Sequence, residues 1–105
     1  MEIFETPVFT RRLPSLLDDE GYRKLQAALV GNPTLGPVIP GTDGLRKLRW
    51  RSSGRGKRGG IRVVYFWAVR QDQLLMLFIF RKTERDNLTP KQLSALRKVV
   101  EEEYG

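Results

Sequence analysis

Apolar positions along this chain follow two different periods, and the switches between them mark its elements. Ile3 to Val8 is short and largely apolar, and is expected to form a first strand. Leu13 to Leu17 follows as a helical turn or short helix. Asp18 or Asp19 then caps a longer helix, along which Tyr22, Leu25 and Leu29 recur at helical spacing. Gly31-Asn32-Pro33 stops it, since glycine favours a helix end and proline cannot continue one. From Pro33 to Gly44 the residues are rich in proline and glycine. They are expected to form a loop, ordered by the packing of Leu35, Val38 and Ile39.

From Leu45 the period drops to two. Arg46, Leu48 and Trp50 share one face of a strand, and Leu45, Lys47, Arg49 and Arg51 share the other, which is therefore cationic. Ser52 to Gly60 is a glycine-rich basic loop, and Ile61 to Val69 a β-branched and aromatic strand. Gln71-Asp72-Gln73 turns the chain into Leu74 to Phe80, apolar at every position and so expected at the centre of the sheet. The short turn makes these two strands an antiparallel hairpin. Thr89, Pro90 and Gln92 form a capping-box signature for a last helix with Leu93, Leu96 and Val100 as its apolar stripe. Glu101, Glu102 and Glu103 lie at the negative end of that helix dipole, where they are locally unfavourable. They either face a basic partner or are simply solvated. The order of elements predicts an α+β domain, an antiparallel sheet with helices against one face. At 105 residues the chain makes one domain.

Composition narrows the chemistry. The chain has no cysteine and no histidine, which excludes disulfides, thiolate catalysis and imidazole acid–base chemistry. No metal and no other cofactor is expected, because carboxylates alone seldom hold a transition metal. The first residues lack the basic start and apolar run of a signal peptide. The longest apolar run is too short for a bilayer, so a cytoplasmic protein with no membrane association is expected.

Lysine and arginine number 19 against 12 acids, a net charge of +7. Such an excess points to a polyanionic partner. It is concentrated in Arg46, Lys47, Arg49, Arg51, Arg55, Lys57, Arg58 and Arg62, with no acid among them. A run of this kind is either a solvated surface or a track for phosphates, and its confinement to one strand and one loop favours the track. Gly54, Gly56, Gly59 and Gly60 permit close backbone approach to an anion, or merely a flexible connection. Arg62, at the start of a strand and on the side of Val64 and Phe66, suits a bidentate phosphate clamp. An ion pair with a surface acid is the plainer alternative. Trp50, Tyr65, Phe66 and Trp67 are either core or platforms on which RNA bases stack. The charged stretch from Phe80 to Thr89 either acts on a substrate or pairs internally.

Asn32-Pro33-Thr34-Leu35-Gly36, Gly41 to Arg49, Gly54 to Phe66 and Phe80-Arg81-Lys82-Thr83-Glu84 with the helix after it resemble the RelE superfamily of toxins, nearest its HigB-like branch. The specific part lies in Gly44-Leu45-Arg46-Lys47 and Lys57-Arg58-Gly59-Gly60 followed by Arg62. The resemblance implies a microbial RNase fold, a twisted antiparallel sheet with N-terminal helices packed on it and a C-terminal helix. It implies ribosome-dependent cleavage of mRNA in the A site, docking on 16S rRNA, and attack of a 2′-hydroxyl on the adjacent phosphate. It also implies a cognate antitoxin, commonly a HigA-like helix-turn-helix protein, through which alone operator DNA is bound. Arg62 matches the family's strand arginine. Lys47, Lys57 and Arg58 are candidates for base, acid or rRNA contact, and Lys82 matches the basic segment after the last strand. The catalytic set is thus Arg62, Lys57, Lys47 and Lys82. Arg46, Arg49, Arg55, Arg58, Arg81 and Arg85 are the RNA-binding candidates. Typical members carry an arginine near Thr83 and a tyrosine near Thr89. Threonine stands at both positions here, with Arg81 or Arg85 as the substitute for the arginine.

Two further readings start from the same residues. A ParE-like protein of this fold binds DNA gyrase and cuts nothing. A non-catalytic RNA- or ribosome-binding module binds with a log-log salt slope of roughly −0.7 per phosphate and also cuts nothing.

Overall fold

The structure, a computed structural model, describes residues 1–51 and 60–105. It is an α+β fold. The described elements run β1 (Glu2–Glu5), α1 (Pro7–Arg12), a 3₁₀ turn (Leu13–Ser15), α2 (Asp19–Gly31), β2 (Arg46–Trp50), β3 (Ile61–Ala68), β4 (Gln73–Arg81) and α3 (Pro90–Tyr104). They build one four-stranded sheet in the order β1-β4-β3-β2.

The sheet is mixed, not wholly antiparallel as expected. β2 and β4 run antiparallel to β3, but β1 lies parallel to β4, with Ile3 opposite Leu74. The first strand is also shorter than Ile3 to Val8. It stops because Thr6 caps α1, its hydroxyl accepting the Phe9 N–H at 3.2 Å, with Pro7 in the first helical turn. The β4 acceptors that β1 is too short to reach are met by side and main chain from α1 and its cap. Thr6 N–H donates to Met76 O, the Thr6 hydroxyl to Leu77 O at 2.8 Å, and Arg12 Nε to Ile79 O at 2.7 Å. Buried carbonyls left open at a sheet edge cost stability, so these substitutes complete the edge.

β4 is internal, as its apolar run requires, and both its faces are covered. One face carries Leu74, Met76 and Ile79 with Ile61, Val63 and Tyr65 of β3, under Phe9, Leu16, Leu17, Leu25 and Leu29 of the N-terminal helices and their connection. The other carries Leu75, Leu77 and Phe80 with Val64 and Leu45, under Val100 and the flanking Leu93, Leu96 and Val99 of α3. Helices therefore pack on opposite faces of the sheet, which corrects the expectation of one covered face. A strand apolar on both sides has to be buried on both sides. Strict alternation breaks within β4 because Val64 pairs with Phe78 while Tyr65 pairs with Met76. Leu77 is the extra residue of a β-bulge, and the bulge returns Phe80 to the α3 side.

Local signals at the helix ends hold. Asp18 caps α2 by accepting the Gly21 N–H at 2.7 Å. Thr89 and Gln92 make the reciprocal capping box of α3, at 3.1 and 2.8 Å. Thr89→Ala removes one half of that box and is expected to cost about 1 kcal/mol in a denaturant melt. An unchanged midpoint counts against the cap. Glu101 pairs with Arg97 at 3.5 Å, and Arg97 also bonds Asp43 at 3.2 Å, while Glu102 and Glu103 are exposed.

The loop before β2 is ordered by hydrogen bonds. Leu35 and Val38, expected to pack, are 40% and 46% exposed, and only Ile39 joins the core. The fixing group is Tyr65, fully buried, whose hydroxyl accepts from Gly36 N–H at 2.9 Å and donates to Pro33 O at 2.7 Å. Burial raises the Tyr65 hydroxyl above its ordinary pKa, so it stays protonated as the donor.

Candidate nucleic-acid interface

The cationic face expected of β2 is real and is extended by its neighbour. Lys47 and Arg49 alternate with buried Leu48, and antiparallel pairing sets Arg49 directly opposite Arg62. Like charges directly opposite one another weaken a sheet, by a few tenths to about 1 kcal/mol. Arg62 is also 7% exposed, and a buried charge adds a desolvation cost. Its Nη1 donates to Ile61 O at 3.3 Å. Burial and then Arg49 pull the Arg62 guanidinium below its ordinary pKa, and Asp86 pulls it back up. Arrangements that cost the fold in this way are characteristic of sites that meet a charged ligand.

Lys82 and the turn before α3 close the site. Lys47, Arg49, Arg62, Lys82, Asp86 and Asn87 line one cleft of about 300 Å³. The turn is pinned at both ends. At one end the Glu84 carboxylate accepts from Arg81 N–H at 2.9 Å and from Arg12 Nη2 at 2.7 Å, contacts that hold its pKa below the ordinary value. At the other, buried Leu88 joins the α3-side core and Thr89 caps the helix. Asp86 and Asn87 are thereby presented to the strands. Lys47 Nζ donates to Asn87 Oδ1 across the cleft. Burial, followed by Arg49 and Arg62, lowers the Lys47 pKa, against the opposing pull of Asp86.

Of the expected catalytic residues, Arg62, Lys47 and Lys82 converge here, joined by Arg49 from the RNA-binding set. Lys57, Arg55 and Arg58 lie outside the described residues. Arg46 is on the other face, as its parity with Leu48 dictates, and its Nη1 donates to Gly36 O at 2.8 Å. Arg81 also points away, its Nη2 donating to Ser15 O at 2.6 Å. Arg85 is exposed and does not line the cleft. Neither Arg81 nor Arg85, the expected substitutes for an arginine at Thr83, thus lines the cleft.

No aromatic side chain lines the cleft among the described residues. Tyr65 is fully buried, Trp50 and Trp67 pack on the α1–α2 side, and Phe66 lies 5.8 Å from Tyr104 on the α3 side. The core reading of these aromatics holds for the ones described. Asp86 and Asn87 were not among the expected site residues. The only signal was their place in the charged stretch after β4. No known protein-family model matches the chain.

Proposed function

We propose that this chain is a RelE/HigB-like toxin, a metal-independent endoribonuclease that cleaves mRNA on the ribosome. The observation that carries the reading is the convergence of Lys47, Arg49, Arg62 and Lys82, from two strands and the turn after a third, on one cleft. Cations fixed on strands are preorganised for the charge that builds on a phosphorane-like transition state. A ribose 2′-hydroxyl supplies its own nucleophile, so a site without thiol, imidazole or seryl attack is sufficient. Docking on 16S rRNA, and control by a HigA-like helix-turn-helix antitoxin that brings operator DNA, belong to the same reading. So do the RelE-like fold assignment and a cytoplasmic site of action. Among the described residues, no helix is long and apolar enough to cross a membrane.

The test is primer extension on an mRNA in a purified translation system, with and without the protein. Discrete cuts within codons, present only while ribosomes translate, are the expected result. Intact message with folded protein removes the nuclease reading and leaves gyrase binding or plain RNA binding.

A further inference from the structure

Among the described residues, the cleft that gathers Lys47, Arg49, Arg62 and Lys82 also holds the carboxylate of Asp86. A carboxylate next to a phosphate site opposes binding, since it repels the anion the cations attract. It offsets part of the like-charge cost among Lys47, Arg49 and Arg62, and toward a bound RNA it suits a group other than phosphate oxygen. Arginine holds its proton throughout the physiological range, and lysine is an acid there unless its pKa falls by several units. A carboxylate is already in its basic form. Among the described groups lining the cleft, Asp86 is therefore the one with a carboxylate oxygen to offer as proton acceptor. It sits on the pinned turn across from Lys47 and Arg62, close enough to bear electrostatically on both.

On the reading of the cleft as an RNA-cleaving site, we infer that Asp86 is the general base that accepts the 2′-hydroxyl proton, with Lys47 as the acid that protonates the leaving oxygen. The 2′-oxygen, losing its proton to an Asp86 oxygen, forms a bond to phosphorus. The bond from phosphorus to the 5′-oxygen breaks, and that oxygen takes a proton from the Lys47 ammonium. The products are a 2′,3′-cyclic phosphate and a 5′-hydroxyl. Proton count and charge balance, and no oxidant, metal or co-reactant enters. Arg62 and Arg49 hold the non-bridging phosphate oxygens, and Asn87 keeps the Lys47 amine over the cleft. Lys47 thus takes one of the roles expected for it, that of acid, and the base is a residue outside the expected catalytic set. The carboxylate also gives the site a reason to prefer ribose, because a deoxyribose offers it neither proton nor hydrogen bond.

The test compares wild type with Asp86→Asn and Asp86→Glu on ribosomes programmed with a defined mRNA. Turnover is measured on the native message. Affinity is measured on one carrying a 2′-O-methyl group at the mapped cut, which cannot react. Asp86 is exposed, so neither substitution opens a core. The expected result is a fall in kcat of about 10²- to 10⁴-fold for Asp86→Asn, the usual worth of a positioned base. Affinity for the uncleavable message should be unchanged or tighter, because a charge repelling phosphate has gone. Asp86→Glu should recover part of the rate. If Asp86 is only a solvated charge, Asp86→Asn cleaves as fast as wild type or faster, and the inference falls while the nuclease reading stands. A parallel loss of affinity and rate overturns it as well, in favour of a structural role. A wild-type protein that cuts nothing removes the nuclease reading itself.

Discussion

Arg62→Ala is expected, on the proposed nuclease reading, to lower mRNA cleavage by about 10²- to 10³-fold, the cost of deleting one preorganised donor to a developing oxyanion. In cells it should abolish growth arrest. The fold should survive. Arg62 sits at the start of β3, opposite Arg49, and its removal relieves a cross-strand like-charge pair. The thermal midpoint is therefore expected to stay within a few degrees of wild type, even though a buried side chain has been shortened. Separation of the two effects is the diagnostic feature, because a residue placed for stability loses both together. Arg62→Lys sharpens the test. Lysine keeps the charge but not the fork that grips two phosphate oxygens, so partial activity is expected. Full cleavage by Arg62→Ala, with the cut sites unchanged, sinks the assignment of the phosphate clamp.

The parts of this molecule written in local chemistry were legible before any coordinates. Thr89, Pro90 and Gln92 announce the last helix because a capping box is made by neighbours in sequence. The cationic face of β2 follows from alternation alone, and the same alternation puts Arg46 on the face of Leu48, away from the cleft, which overrides its expected place among the RNA-binding residues. The parallel pairing of β1 was not legible, since it joins Ile3 to Leu74 across most of the chain. Its end is legible: Thr6-Pro7 carries the same cap-then-proline signature as Thr89-Pro90, which ends the strand before the Val8 that its apolar pattern suggests. Coverage of both sheet faces was likewise implicit in an apolar β4. The cleft was half legible. Lys47, Arg49 and Arg62 are strand neighbours and share a face by register. Asp86 and Asn87 join them only through the turn pinned by Glu84 and Leu88, contacts that bring Asn87 to Lys47 over 40 residues of chain. Nothing in the local pattern of that charged stretch distinguishes its cleft-facing members from Arg85, which is merely exposed.

Gly60→Ala is expected to cost the fold about 3 kcal/mol and to damage the cleft as well. Gly60 has φ +66°, and a Cβ there would lie 2.4 Å from Trp50 O and 3.1 Å from Arg51 Cα. The left-handed conformation costs an alanine roughly 1–2 kcal/mol, and forcing atoms into a packed backbone adds about 1–3. Both obstructing groups are main chain, so no side-chain rotamer relieves the overlap. The hairpin end has to open instead. Trp50 pairs with Ile61 at that end, one residue from the Arg49–Arg62 pair, and Gly60 O accepts the Lys82 N–H at 3.4 Å. Displacement there moves Arg49, Arg62 and Lys82 relative to each other, and positioned catalysis is sensitive to shifts on the order of 1 Å. At roughly 4–8 °C per kcal/mol for a chain this size, the thermal midpoint should drop by about 15 °C. Gly41→Ala is the matched control. Gly41 also has positive φ, at +76°, but nothing lies within 4 Å of the added atom. It should therefore pay the conformational cost alone and leave cleavage intact. The difference between the two variants isolates the steric contact that locks this end of the β2–β3 pair beneath Arg62. If Gly60→Ala melts within a few degrees of Gly41→Ala, the backbone at Trp50 yields cheaply, and the rigidity ascribed to this end of the sheet is not what holds Arg62 in place.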